Sequence, residues 1–385
     1  MKIGILTFHS QLNYGGVLQC WALKTALEGM GHEVVVVDRW LDAKNKMLNG
    51  PFGNAGLKGW IKILARSFLC CGDWRRVVRH WRTRRFVRKL GLTPYHFYWW
   101  KDAPKDLGVD CLIVGSDQVW HGGDWGYPDP KPYLLEGAPY VKAIAYAASF
   151  GLKSLPPEYD YTAGFNRFSA ISVREAEGVG LVKGTGYAGA VRHVVDPTLL
   201  LPPAVWKKHE KRERVAKRLV CYLLGEDVNT VVPILEAWAR KNAWTVQVLC
   251  KGYVKPIPRS IMELARRLRG FMSRVKVRSD YGPSEFVRAF AQADAVVTDS
   301  FHAIMFSTIY GCNARFLRPQ QEWRKSMFAR VAEFGEKCVI GGIFADGLES
   351  SLLSFERGEI ISFDSKCIAE IRAESMNWLQ NAIAE

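Results

Sequence analysis

The feature that constrains this chain most is an alternation that starts at its first residues. Lys2 to Phe8 is a short apolar run, Gln11 to Gly16 a polar turn ending in two glycines, and Val17 to Met30 a helix with Leu18, Trp21, Ala22 and Leu27 on one side. Gly29 and Gly31 close that helix, and a second apolar run follows at Glu33 to Asp38. Strand, glycine turn, helix and strand within forty residues open a parallel α/β sheet. The pattern recurs at Cys111–Val114, Ala143–Ala148, Ile171–Val173 and His193–Val195, each followed at once by polar residues. In open α/β sheets the rim after the strands is where ligands bind.

The charged stretch Lys207 to Lys217 marks a boundary, and a second series begins beyond it. Strands are expected at Leu219–Leu224, Trp244–Leu249, Asp294–Thr298 and Ala314–Leu317, and helices at Val231–Lys241, Ser284–Gln292, Ala303–Tyr310 and Cys367–Ala384. The fold class is therefore α/β, with two Rossmann-like domains facing a cleft. The expected domains are 1–206, 207–360 and a terminal helix in 361–385 that packs back on the N-terminal domain. With 385 residues the chain is long enough for two such cores. Its apolar run near the N-terminus stops at Phe8, too short for a signal peptide, and no uncharged run approaches the ~20 residues of a membrane span. A cytoplasmic protein is expected. The nine cysteines are scattered, with no C-x-x-C, and read as buried reduced thiols rather than a zinc site.

The formal net charge is +15, and it is concentrated. Between Lys58 and Lys89 there are eleven Lys or Arg against one acid, Asp73, interleaved with Trp60, Trp74, Trp81 and Phe86. This basic aromatic segment, 57–92, fits either an element lying on an anionic membrane surface or a solvated helical excursion whose aromatics pack on the first domain. No nucleic-acid motif accompanies the charge, so no nucleic-acid partner is expected. The first turn lacks the G-x-G-x-x-G spacing and no Walker sequence occurs, which argues against NAD and ATP.

Six strings together resemble the polysaccharide pyruvyl transferase family. They are Asn13-Tyr14-Gly15-Gly16 with Leu18-Gln19; Val114-Gly115-Ser116-Asp117-Gln118-Val119-Trp120; and Tyr146-Ala147-Ala148-Ser149-Phe150-Gly151. Ser172-Val173-Arg174-Glu175, Val195-Asp196-Pro197-Thr198-Leu199-Leu200 and Thr298-Asp299-Ser300-Phe301-His302-Ala303 complete the set. Each is weak alone; six in order are specific. The resemblance implies a fold similar to the glycosyltransferase B architecture. It also implies transfer of the enolpyruvyl unit of phosphoenolpyruvate onto two hydroxyls of one sugar, giving a cyclic pyruvate ketal and phosphate. Phosphoenolpyruvate is then a donor substrate, and no resident cofactor or metal is expected. A saccharide intermediate of capsule or exopolysaccharide assembly, carried on undecaprenyl diphosphate, would be the acceptor. With the basic segment, this implies a peripheral place on the inner face of the cytoplasmic membrane. The alternatives are a nucleotide-sugar glycosyltransferase on the same architecture and a non-catalytic scaffold.

Ketal formation needs cations for a phosphate and a carboxylate, an acid to protonate C3, and a base for the sugar hydroxyl. The resemblance places Arg174 and His302 at the donor. Arg174 has a planar fork suited to carboxylate or phosphate, against an ion pair with Glu175 or Glu177. His302 can donate to phosphate or protonate C3; Ser300 is the expected helix cap, its hydroxyl within reach of phosphate, and Phe301 lies between them. Asp117 is either the base or a cap on the next helix. Asn13, Tyr14, Gly15 and Gln118 are expected on the acceptor side. The family turn often reads Asp-Arg-Leu-His where this chain has Asp299-Ser300-Phe301-His302, so one cationic contact comes from elsewhere or is absent. Arg318 and Arg324 are the first candidates, with Arg278, Arg315 and Lys325 behind them. Tyr98, Trp99 and Trp100 read as core in preference to a sugar platform, and Asp196-Pro197 as a structural strand exit.

Overall fold

The computed structural model describes residues 1–9, 13–40, 74–122, 129–206, 214–250, 273–318 and 325–385, the side chains of 74, 76 and 325–327 excepted. They form two compact units. The first collects the described residues within 1–53, 84–202 and 365–385, the second those within 54–83 and 203–364. The passage between units falls at Pro202 and Pro203, just ahead of the charged stretch.

In the first unit β1 (Lys2–Leu6), β2 (Glu33–Arg39), β3 (Leu92–Phe97), β4 (Cys111–Asp117), β5 (Lys142–Ala148), β6 (Ala170–Val173) and β7 (Val191–His193) make one sheet. Their order is β3-β2-β1-β4-β5-β6-β7, and every pairing is parallel. All of β4 is buried, as a parallel strand covered on both faces must be. The second unit holds β8 (Arg218–Tyr222), β9 (Thr245–Leu249), β10 (Val275–Arg278), β11 (Ala295–Thr298) and β12 (Asn313–Leu317). After the short β13 (Val339–Ile340) comes β14 (Phe344–Ala345), and β15 (Ser362–Phe363) pairs antiparallel with β13. The second parallel sheet runs β10-β9-β8-β11-β12-β14. Each sheet reverses its winding once, between β1 and β4 and between β8 and β11. Such switch points leave a crevice outside the carboxyl ends of the strands. Two Rossmann-like units of this kind are the glycosyltransferase-B-like fold.

The helix after β1 spans Tyr14–Gly29, starting at Tyr14 rather than Val17, and the Asn13 carbonyl accepts its first bond from Val17 N–H at 3.2 Å. Gly31, at φ +90°, takes the left-handed conformation just past its end. The last helix, Ser365–Ala384, belongs to the first unit: Ser375 Oγ accepts from Val195 N–H (3.0 Å) and Lys142 Nζ donates to the Ile383 carbonyl (2.8 Å).

Residues 57–73 of the basic segment lie outside the described residues. The rest forms the helix Trp74–Arg88. Its buried stripe is Arg79, Thr83 and Phe86, and its exposed stripe Trp81, Arg84, Arg85 and Arg88, the spacing of a single helical face in each case. Arg82 donates to both the carbonyl (2.8 Å) and the carboxylate (2.9 Å) of Asp280, and Arg75 to the Val277 carbonyl (3.4 Å). The described residues 74–83 therefore group with the second unit, which corrects the placing of all of 57–92 in the N-terminal domain. Phe86 meets the Trp21 ring at 6.4 Å within the first unit. Among the described residues no helix is long and apolar enough to cross a membrane. Cys20, Cys111, Cys221 and Cys312 are free thiols and buried, Cys250 is buried too, and burial pushes the Cys20 and Cys312 thiols up to about 12. Cys338 and Cys367 are disulfide-bonded, contrary to the expectation of reduced thiols.

Candidate functional site

All six strings lie at carboxyl ends of parallel strands. They follow β1, β4, β5, β6 and β7 in the first unit and β11 in the second. Each unit thus presents a rim of its own.

On the first rim Asp117 ends β4 with φ +76°, and Ala147 in the neighbouring β5 has φ +51°. Two non-glycine residues in left-handed backbone on adjacent strand ends are the strain expected where a site is held in shape. Asp117 Oδ1 accepts from Gln118 N–H (3.0 Å), so it caps its own turn rather than a following helix. Among the described residues its buried Oδ2 has no hydrogen-bond partner. A Cβ on Gly16 would stand 2.9 Å from that oxygen. The second glycine of the first turn therefore lets the Tyr14–Gly29 helix begin against the Asp117 carboxylate.

Arg174, expected at the donor, is buried between carboxylates. It is 4% exposed, its NH1 donates to Asp196 Oδ2 at 2.8 Å, and its NH2 lies 3.8 Å from Asp117 Oδ1. Burial opposes its charge, but Asp196, Asp117 and Glu175 outweigh that and raise its pKa. Its close partner is therefore Asp196, not Glu175 or Glu177. Asp196 also accepts from Ser116 Oγ (3.2 Å), Thr198 N–H (3.0 Å) and Thr198 Oγ1 (2.7 Å). Glu175 Oε1 holds the 149–151 turn instead, accepting from Ser149 Oγ (3.0 Å), Phe150 N–H (2.7 Å) and Gly151 N–H (3.2 Å). A Cβ on Gly151 would stand 1.8 Å from Gln118 Nε2, so the glycine makes the slot that Gln118 fills. Of the expected acceptor residues, Tyr14, Gly15 and Gln118 are buried and Asn13 is half-buried. The Tyr14 ring, expected on the acceptor side, is 2% exposed.

On the second rim, the Asp299 carboxylate accepts from Leu224 N–H (2.7 Å) and Gly225 N–H (2.9 Å), knitting the exits of β8 and β11 at the switch point. Ser300 stands at the N-cap of the helix Phe301–Tyr310, yet its side chain makes no capping bond. It holds the expected cap position while its hydroxyl stays out of the cap. His302, half-buried, is the second helical residue, where backbone N–H groups have no intrahelical acceptor and the helix dipole favours anions. The Phe301 ring meets the imidazole edge-on at 5.4 Å.

Arg318 follows β12, the neighbour of β11, with its side chain 55% exposed. It lies over the rings of Phe328 (5.8 Å) and Phe344 (5.6 Å), with Asp346 at 3.5 Å. Arg315 is committed elsewhere, to Asn313 Oδ1 (2.9 Å) and the carbonyls of Ala314 (3.2 Å) and Glu359 (3.2 Å). Arg324 and the side chain of Lys325 lie outside the described residues. The residue that sequence reasoning passes over is Arg330. Its buried guanidinium sits 5.3 Å from the centre of the Phe301 ring, beside the turn that lacks the family's arginine. Nothing in its helical context marks it in the sequence.

The model of the family described as polysaccharide pyruvyl transferase matches residues 13–320. No curated protein matches the sequence at a significant level. Among solved structures, the UDP-GlcNAc 2-epimerase from Neisseria meningitidis bound to UDP-GlcNAc superposes with a TM-score of 0.51 at 10% identity, covering 100% of each chain. The Methanocaldococcus jannaschii UDP-GlcNAc 2-epimerase in complex with UDP-GlcNAc and UDP gives 0.48 at 14% identity, over 93% of this chain and 92% of that one. An alpha-glucosyltransferase in complex with UDP and DNA gives 0.48 at 11%, over 100% of each. At 10% identity the likeness to the Neisseria meningitidis epimerase is one of fold. The family match is of another kind, since it spans most of the sequence and takes in all six strand-end strings: the chain belongs to the polysaccharide pyruvyl transferase family.

Proposed function

We propose that the chain transfers the enolpyruvyl unit of phosphoenolpyruvate to two hydroxyls of one sugar, closing a cyclic ketal and releasing phosphate. The observation that carries this reading is the coincidence of the six family strings with strand carboxyl ends at and beside the two switch points. The rim of the second unit suits the donor, which carries a carboxylate and a phosphate. Ser300 Oγ, His302 and the first N–H groups of the helix Phe301–Tyr310 meet one anionic group, and Arg318 or Arg330 the other. Arg330 takes the part of the absent family arginine. The rim of the first unit suits the acceptor, where Asp117 Oδ2 accepts the proton of the attacking hydroxyl. Arg174, expected at the donor, instead holds Asp117 and Asp196 in place.

The reaction balances as follows. A proton from His302 forms the new C3–H bond, and C2 becomes cationic. The sugar hydroxyl forms a C2–O bond as Asp117 takes its proton. The bond from C2 to the phosphate oxygen breaks, its electrons leaving with phosphate, which takes the proton from Asp117; the second hydroxyl forms the other C2–O bond and its proton returns to His302.

Phosphate release from phosphoenolpyruvate across galactosides, glucosides and mannosides, free and undecaprenyl-diphosphate-linked, tests the reading. Acceptor-dependent phosphate release is expected. Release of UDP from a nucleotide sugar, with none of phosphate, would replace it by glycosyl transfer. The lipid-linked acceptor is supported by the exposed stripe Trp81, Arg84, Arg85 and Arg88, where anionic lipid contributes about 1 kcal/mol per nearby Arg. Co-sedimentation with phosphatidylglycerol vesicles, absent with phosphatidylcholine, is expected; equal recovery with both would reject the membrane contact.

A further inference from the structure

At the carboxyl ends of β2 and β3 the first unit carries an aromatic ledge built around one carboxylate. The β2–β3 register shifts between Val36 and Asp38, after which Asp38 pairs with His96 and Arg39 with Phe97. A shift of this kind re-aims side chains at a sheet edge. Arg39 turns inward, its NH1 donating to the Tyr133 hydroxyl at 2.9 Å. Asp38 and Trp40 share the other face with His96 and Tyr98, by the two-residue period of strands. The Trp40 ring stacks on His96 at 4.5 Å and 17°, and Tyr98 meets it edge-on at 5.8 Å.

The carboxylate is fixed from below. His9, buried after β1, places Nδ1 at 3.2 Å from the Thr7 carbonyl and Nε2 at 3.0 Å from Asp38 Oδ1. The imidazole thus bridges the Thr7 carbonyl and the Asp38 carboxylate and fixes the latter in place. Trp40 Nε1 donates to the same Oδ1 at 3.0 Å. Asp38 Oδ2 is thereby left without a partner among the described residues, on a side chain 16% exposed.

We propose that Asp38, Trp40, His96 and Tyr98 form a subsite for an uncharged pyranose residue of the acceptor. The inference rests on the reading of the acceptor as a sugar. Aromatic faces stack on the C–H face of a pyranose, and a fixed carboxylate oxygen accepts from its hydroxyls. The charges select against other ligands. The carboxylate oxygen repels the phosphates of a nucleotide and accepts readily from the hydroxyls of a neutral sugar. Packing alone does not require this ledge to be open. Trp100 is the contrasting case: its ring is buried and its Nε1 donates to the Pro132 carbonyl at 2.8 Å, whereas His96 and Trp99 are exposed and Trp40 and Tyr98 half-buried.

Saturation-transfer NMR on the full chain, without phosphoenolpyruvate, tests the subsite with methyl galactosides, glucosides and mannosides as probes. Transfer to the pyranose C–H protons of at least one glycoside is expected. Trp40→Ala and Asp38→Asn should weaken that binding at least tenfold, and so should His96→Ala, an exposed position whose variant keeps the core. Near-UV circular dichroism identifies any variant that fails to fold. No transfer from wild type, or unchanged binding by folded Trp40→Ala and His96→Ala, overturns the proposal. The readout is separate from turnover: sugar binding lost in these variants while wild type releases no phosphate would reject the ketal reading and keep the subsite.

Discussion

Arg174→Ala is expected to lower the unfolding free energy of the first unit by about 3–5 kcal/mol, read by urea denaturation. The guanidinium is enclosed with two carboxylates, Asp196 at 2.8 Å and Asp117 at 3.8 Å. Removing it leaves both buried negative charges uncompensated, and breaking one side of a buried ion pair costs more than the pair itself contributes. Asp196 keeps its bonds from Ser116 and Thr198, which places the loss inside that range rather than above it. Arg174→Lys keeps a charge but loses the planar fork that spans two carboxylates, so an intermediate loss is expected. A group that only binds the donor would behave differently: its removal would weaken phosphoenolpyruvate binding in calorimetry and leave the urea midpoint in place. That second outcome would restore Arg174 to the donor and remove it from the scaffold.

The same residue shows what the sequence carries and what it withholds. Strand ends were legible because parallel strands buried on both faces are unbroken apolar runs, and a polar residue after such a run can only be at the rim. Cys111–Val114, Ala143–Ala148 and Asp294–Thr298 all point to their strands, and the polar residues that follow them are the rim residues of the structure. Partners across the rim were not legible. Sequence neighbours suggest Glu175 or Glu177 for Arg174, but Asp196 reaches it from beyond β7, by strand adjacency that no local pattern encodes. The strands that escaped notice are at or near sheet edges. Leu92–Phe97 contains Pro94, which suits an edge strand and breaks the apolar signature; Val275–Arg278 and Phe344–Ala345 are too short to show a period. Missing β3 also hid the ledge, because His96 and Tyr98 meet Trp40 only once β2 and β3 are paired. Tyr14 is the converse case: its glycine-rich string reads as a turn, and the structure makes it the first residue of a helix buried against the sheet.

His302→Ala is expected to reduce kcat for phosphate release from phosphoenolpyruvate by about 100-fold or more, the usual scale for losing a positioned general acid. The position argues for more than binding. At the second residue of the helix Phe301–Tyr310 the backbone already supplies N–H donors to an anion, so a neutral donor there would add little. An imidazole adds a transferable proton, and protonation of C3 is the step that makes C2 electrophilic. His302→Gln separates the two roles, since its amide can donate a hydrogen bond but cannot release a proton. It should keep the KM for phosphoenolpyruvate near that of wild type while kcat stays as low as in His302→Ala. Arg318→Ala should do the reverse, raising KM with a smaller change in kcat, because a half-exposed guanidinium contributes charge to binding without taking part in proton transfer. Recovery of kcat to within a few-fold of wild type in His302→Gln would assign the proton at C3 to another group and leave His302 as a ligand for the phosphate.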